Sequence, residues 1–138
     1  MHISCSNNIS CEHSEHIVME PKMREITIKE LAVELTVELT DICDGIKGRS
    51  AFVSQVLRSC SSIGANASEA KYAQSRADFI NKMEIALKEC YETDYWFEIL
   101  WRTSSISQSQ YERLKEKCGR LRRKLIASIT TAKNNASN

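Results

Sequence analysis

The stretch Gln55-Val-Leu-Arg-Ser-Cys-Ser-Ser-Ile-Gly-Ala-Asn-Ala-Ser-Glu69 separates polar from apolar side chains at helical spacing. At about 100° per residue, Gln55, Arg58, Ser62, Asn66 and Glu69 fall on one stripe, while Phe52, Val56, Cys60, Ile63 and Ala67 fall on another. A helix with two such faces needs a core on one side and a polar partner on the other. Two readings of the polar stripe are open. It is an internal lock, with Arg58 paired to a carboxylate of the second or third helix and Asn66 satisfying a helix end, or it is part of a ligand or subunit contact. The lock is the expected reading, since partly buried charge survives mainly when paired.

The same periodicity recurs in three other segments. Thr27-Ile-Lys-Glu30 is a capping box, with Ile26 and Leu31 placed as its hydrophobic staple. Leu31, Val33, Leu35, Val37 and Leu39 alternate as a strand would, but Leu31, Leu35, Leu39, Ile42 and Ile46 recur at steps of three and four, which predicts a helix ended by Gly45 and Gly48. The second helix is expected over about 50–73. Ser75-Arg-Ala-Asp78 caps a third, running to about Arg102 with Phe79, Met83, Ala86, Cys90, Phe97 and Leu100 on one face. Its far side is not polar: Ile85, Trp96 and Ile99 sit there, and burial against a neighbouring subunit is expected. Asp94 lies inside the main apolar stripe and needs a partner such as Arg58 or a hydroxyl. Ser107-Gln-Ser-Gln110 caps the fourth helix, whose Tyr111, Leu114, Cys118, Leu121, Leu125 and Ile129 form a narrow seam. Four helices with short connections predict an all-α, antiparallel up-down-up-down four-helix bundle. The expected organisation is a disordered leader over 1–24, the bundle over 25–133 and a frayed tail over 134–138.

The 138 residues suit a single domain, and one proline with four glycines fits helices better than turn-rich β structure. No apolar run is long enough to span a membrane and no signal-peptide pattern opens the chain, so the cytoplasm is the expected location. Met19 and Met23 could equally be translation starts. Cys43, Cys60, Cys90 and Cys118 fall on the apolar sides of their helices and read as core. Cys5, Cys11, His13 and His16 cluster in the leader, but their spacing misses the usual zinc patterns, so no metal or cofactor is expected. All three histidines lie in that leader, which removes Ser/His, Cys/His and Glu-x-x-His chemistry from the bundle, and no glycine-rich phosphate loop exists. The chain is not expected to be an enzyme.

Charge is distributed unevenly. Residues 1–46 hold three basic and nine acidic side chains, whereas residues 111–138 hold eight basic and two acidic. On the fourth helix Arg113, Lys117, Arg120 and Lys124 form a row opposite the seam, with Arg122 and Arg123 beside it. Aromatics are not interleaved, so Arg113, Lys117, Arg120, Arg123 and Lys124 are expected to contact phosphates of RNA or DNA rather than stack on bases. The rival reading is that the basic fourth helix docks on the acidic first one, within a protein-binding or structural oligomer.

The run Gln55-Val-x-Arg58-x-x-Ser-Ser62-Ile63-x-x-Asn66-x-x-Glu69-Ala, followed by Phe79-Ile80 and by Ile85-Ala-Leu-Lys-Glu89-x-x-Glu92-Thr93-x-Tyr-Trp96, resembles the bacterial four-helix-bundle proteins encoded in intervening sequences of large-subunit ribosomal RNA genes. The similarity spans roughly residues 26–130. A related branch is the accessory variability determinant of diversity-generating retroelements. The resemblance implies a non-enzymatic homo-oligomer, a barrel-like pentamer, and from the retroelement branch an accessory protein that binds nucleic acid through a positive surface and partners a reverse transcriptase. At Leu57 and Ala70 the chain departs from the family pattern.

Overall fold

A computed structural model describes residues 23–136, which form four α-helices: α1 (Ile28–Asp44), α2 (Ser50–Ala70), α3 (Arg76–Arg102) and α4 (Gln108–Ala136). Consecutive helices pack together, α4 closes the ring on α1, and the diagonal pairs stay apart. Connections of five residues each force neighbours to run antiparallel, so the expected up-down-up-down bundle is the observed fold.

Local chemistry sets most of the helix ends. Thr27 Oγ1 accepts the Glu30 amide at 3.2 Å and Glu30 Oε2 accepts the Thr27 amide at 2.8 Å. Arg24 adds a bond to Glu30 Oε1 at 2.7 Å, and this guanidinium together with the Thr27 donors holds the Glu30 carboxyl down to about 2. The box at Ser107 and Gln110 closes in the same way, with bonds of 3.1 and 2.9 Å. Ser75 Oγ accepts from the Asp78 amide at 3.1 Å. The α2 N-terminus differs. Arg49 takes the cap position in the left-handed region (φ 61°), with no side-chain cap, and follows Gly48 at φ 72°.

Two boundaries depart from the sequence reading. α2 stops at Ala70 rather than near Ala73, because Ser75 must be extended (φ −152°, ψ 165°) to cap α3 and the chain needs the preceding residues to turn. α4 continues to Ala136, so residues 134–136 are helical rather than frayed. Residues 1–22, including Cys5, Cys11, His13 and His16, lie outside the described residues.

The core runs the length of the bundle through Leu31, Leu35, Leu39, Val56, Ile63, Phe97, Leu100, Leu114, Leu121 and Leu125, all essentially sealed from solvent. Each such side chain contributes about 1.5–3 kcal/mol relative to exposure. One cysteine per helix joins them, and Cys90 and Cys118 face each other with their Sγ atoms 3.5 Å apart. Burial pushes the Cys43 and Cys60 thiols up to about 11, so both stay protonated at neutral pH. Among the described residues a single hydroxyl pair interrupts the apolar interior: Thr93 Oγ1 lies 2.9 Å from Ser59 Oγ, which in turn donates to the Val56 carbonyl at 3.2 Å. Gly64 marks the close approach of α2 to α1, since a Cβ there would meet the Ala32 Cβ at 3.1 Å. No helix among the described residues is long and apolar enough to cross a membrane.

Candidate nucleic-acid interface

The polar stripe of α2 turns toward α3. The Arg58 guanidinium bonds Gln55 Oε1 at 3.1 Å on its own helix and crosses to Glu89 Oε2 at 3.3 Å and to Glu92 Oε1. Glu92 also accepts the Trp96 indole N–H at 3.2 Å; Arg58 first and Trp96 second hold its carboxyl below the ordinary glutamate value. Farther along, Glu69 reaches Lys82 at 2.7 Å. Arg58 therefore pairs across to α3 as expected, but with its side chain 47% exposed it forms a surface seam rather than an internal lock, and two further details are corrected. Asn66 bonds the Ser62 carbonyl inside α2 at 2.9 Å and satisfies no helix end. Asp94 is not the counter-charge of Arg58.

Asp94 sits instead on the α4 flank of α3. Its Oδ2 accepts from Lys115 at 3.2 Å and lies 3.8 Å from the Arg122 guanidinium. Burial lowers the Lys115 pKa, and the Asp94 carboxylate more than offsets it, leaving the ammonium favoured. The geometry follows from helical rotation: residues 92 and 94 are about 200° apart, so one faces α2 and the other α4. Lys115 also lies over the Tyr111 ring at 5.7 Å, and Tyr111 stacks on Trp101 with centroids 4.5 Å apart.

The basic row of α4 divides into two groups. Arg113 and Lys117 converge on one α1 carboxylate, Glu38, with Lys117 Nζ 2.5 Å from Oε2 and Arg113 bonded to Oε1. Burial pushes the Glu38 carboxyl up, and the two cations override it and hold it below the ordinary value. Lys124 reaches Glu25, just ahead of α1, at 2.5 Å. Arg120 and Arg123 make no ion pair among the described residues. The acidic α1 and basic α4 are thus complementary within one chain, as charge asymmetry along the sequence allows. Glu38 and Glu25 were not legible as partners, because no single-helix pattern says which neighbour lies on which flank.

The outer face of α3 draws part of its cover from α2. Trp96 is half-buried, with its ring 5.9 Å from Phe52 and 5.0 Å from Tyr95. Ile85, about three turns earlier, and Ile99 are also half-buried. Tyr91 and Tyr95 remain more than half exposed, and Arg122 lies over the Tyr91 ring at 5.7 Å. Among the described residues no group of three His, Cys, Asp or Glu could hold a metal ion.

An antiparallel all-α bundle with ionic seams at the α2–α3, α3–α4 and α4–α1 contacts is the class these features define. The chain belongs to the 23S rRNA-intervening sequence protein family, whose pattern it matches over residues 24–127. A solved structure from Bacteroides thetaiotaomicron VPI-5482, a protein of unknown function from the S23 ribosomal protein family, is 42% identical. The likeness covers 75% of this chain and 98% of that one, with a TM-score of 0.70. No curated protein matches the chain.

Proposed function

We propose that this protein is a non-enzymatic, homo-oligomeric accessory module of the cytoplasm that binds RNA through the outer side of α4. The observation that carries the reading is the imbalance on that side. Among the described residues Arg120 and Arg123 have no counter-ion, and Arg113 and Lys117 share a single carboxylate. The Arg113 arm, with its side chain 61% exposed, is the solvent-facing half of that cluster and can turn to a phosphate at small cost while Lys117 stays on Glu38. Phosphate contact is the mode such a surface supports, since aromatic side chains do not alternate with the cations. Self-association would use Trp96, Ile85 and Ile99 with the exposed Tyr91 and Tyr95, and would repeat the basic face around the assembly.

A second reading has its own support. With Arg113, Lys117 and Lys124 engaged by Glu38 and Glu25, α4 can serve mainly to clamp α1, in an oligomer that binds protein only. Gel filtration with light scattering, with and without a labelled single-stranded RNA over a salt series, separates the two. Association that weakens as salt rises is the expected result. Absence of binding at low salt would refute the RNA reading, and a monomeric mass would refute the oligomer.

A further inference from the structure

The end of the bundle where α1 begins and α4 finishes carries two adjoining clefts, of about 760 and 220 Å³. Lys71, Phe79 and Ser128 line both, which joins them into one groove of a size that takes small ligands. Half-buried Phe79 provides an aromatic wall, continued by the small apolar side chains of Ala67 and Ala70. The rim is cationic. Lys29 lines the smaller cleft, Arg76 the larger, and Lys71 stands between them.

Among the described residues no carboxylate lines either cleft. Acids on the same elements are engaged elsewhere: Asp78 accepts the Gln74 amide at 3.2 Å and Glu69 holds Lys82 at 2.7 Å. Lys29 and Lys71 form no ion pair among the described residues. Among the described residues Arg76 makes one hydrogen bond, from Nη1 to the Asn135 carbonyl at 2.7 Å, which holds the guanidinium at the groove and leaves its other donors free of described partners. Elsewhere on the bundle most cations meet carboxylates; among the described residues Lys29, Lys71 and Arg76, spread along the two clefts, form no ion pair. Such an open site focuses positive potential beside Phe79, against which an aromatic body can pack.

We propose that this groove binds a nucleotide, the base against Phe79 and the phosphate between Lys71 and Arg76, with the Ser128 and Thr131 hydroxyls within the lining for the sugar. A free mononucleotide and an unpaired nucleotide of a strand offer the same chemistry. None of the α4 cations from Arg113 to Lys124 lines the groove, so the inference stands apart from the RNA-binding face proposed above.

Isothermal titration of the full chain with adenosine 5′-monophosphate, adenosine and inorganic phosphate tests it. The monophosphate should bind at least about tenfold more tightly than either fragment, and Lys71→Gln and Arg76→Gln should each weaken it about tenfold. Both are surface changes, and circular dichroism checks the fold. Phe79→Leu, which keeps the floor apolar, should reduce the advantage of the monophosphate over phosphate. Equal affinity for monophosphate and phosphate, or an unchanged affinity in the Lys71→Gln/Arg76→Gln double variant, would overturn the proposal. A single-stranded oligonucleotide that displaces the monophosphate assigns the groove to a strand, and one that binds without displacing it assigns the groove to free nucleotide; either upholds the site. Arg120→Ala/Arg123→Ala should leave monophosphate affinity unchanged, so loss of strand binding in that variant speaks only to α4.

Discussion

Replacing Glu38 by Gln separates the two roles of the α4 cations. The Glu38 side chain is only 13% exposed; it accepts from Arg113, 61% exposed, and is ion-paired with Lys117, 30% exposed. A charge-assisted bond in a shielded place is worth about 1.5–3 kcal/mol, whereas a pair with one arm mostly in solvent gives at most about 1 kcal/mol. Glutamine retains the shape and one neutral acceptor. A loss of about 1–2 kcal/mol is therefore expected, read as a lower urea midpoint with an unchanged slope. The pH dependence carries a second signature. Because the folded Glu38 pKa lies below the ordinary 4.5, its contribution is fully present above that value and lost as pH falls below it. Glu38→Gln should remove that part of the acid sensitivity, so wild type and variant converge in acid. The substitution also frees two cations, which should strengthen RNA binding and steepen the dependence of log K on log salt by up to about 1.4 for a single strand. Wild-type stability at neutral pH, with an unchanged acid profile, would refute the reasoning about Glu38. Lower stability without tighter RNA binding would leave α4 a clamp on α1.

Other outcomes are expected from the packing. Leu35→Ala, at a side chain with no exposure, should cost about 2–5 kcal/mol by denaturant titration. Gly64→Ala and Gly119→Ala should move Tm in opposite directions. At Gly64 the new methyl meets the Ala32 Cβ at 3.1 Å, and the net loss after the gain in helix propensity should be about 1 kcal/mol. At Gly119 it meets only the ends of the Arg123 and Arg122 side chains, which can move, so propensity should raise stability by up to about 1 kcal/mol. Trp96→Ala should shift the light-scattering mass toward monomer if α3 forms the subunit contact; an unchanged mass would move that contact elsewhere.

Helix identity was legible because the relevant chemistry is local. The boxes at Thr27/Glu30 and Ser107/Gln110 close within four residues, and the Ser75 cap within the same span. Core membership of the four cysteines was equally legible from position on each apolar stripe. Pairing between helices was not. Arg58 needed a carboxylate from α3, and Glu89, Glu92 and Asp94 all qualified until the flank facing α2 was known. The same ambiguity hid Glu38 from Arg113 and Lys117. The buried Ser59–Thr93 pair carried no usable signal, since small hydroxyl residues are common on either face of a helix, and the groove around Phe79 is assembled from the ends of separate helices.

The central claim, that the outer side of α4 binds RNA phosphates, is tested most directly by the salt dependence of single-stranded RNA affinity for Arg120→Ala/Arg123→Ala against wild type. If both guanidinium groups contact phosphate, the magnitude of the slope should fall by about 1.4 while circular dichroism and oligomer mass stay unchanged. An identical slope and affinity in the double variant would contradict the account.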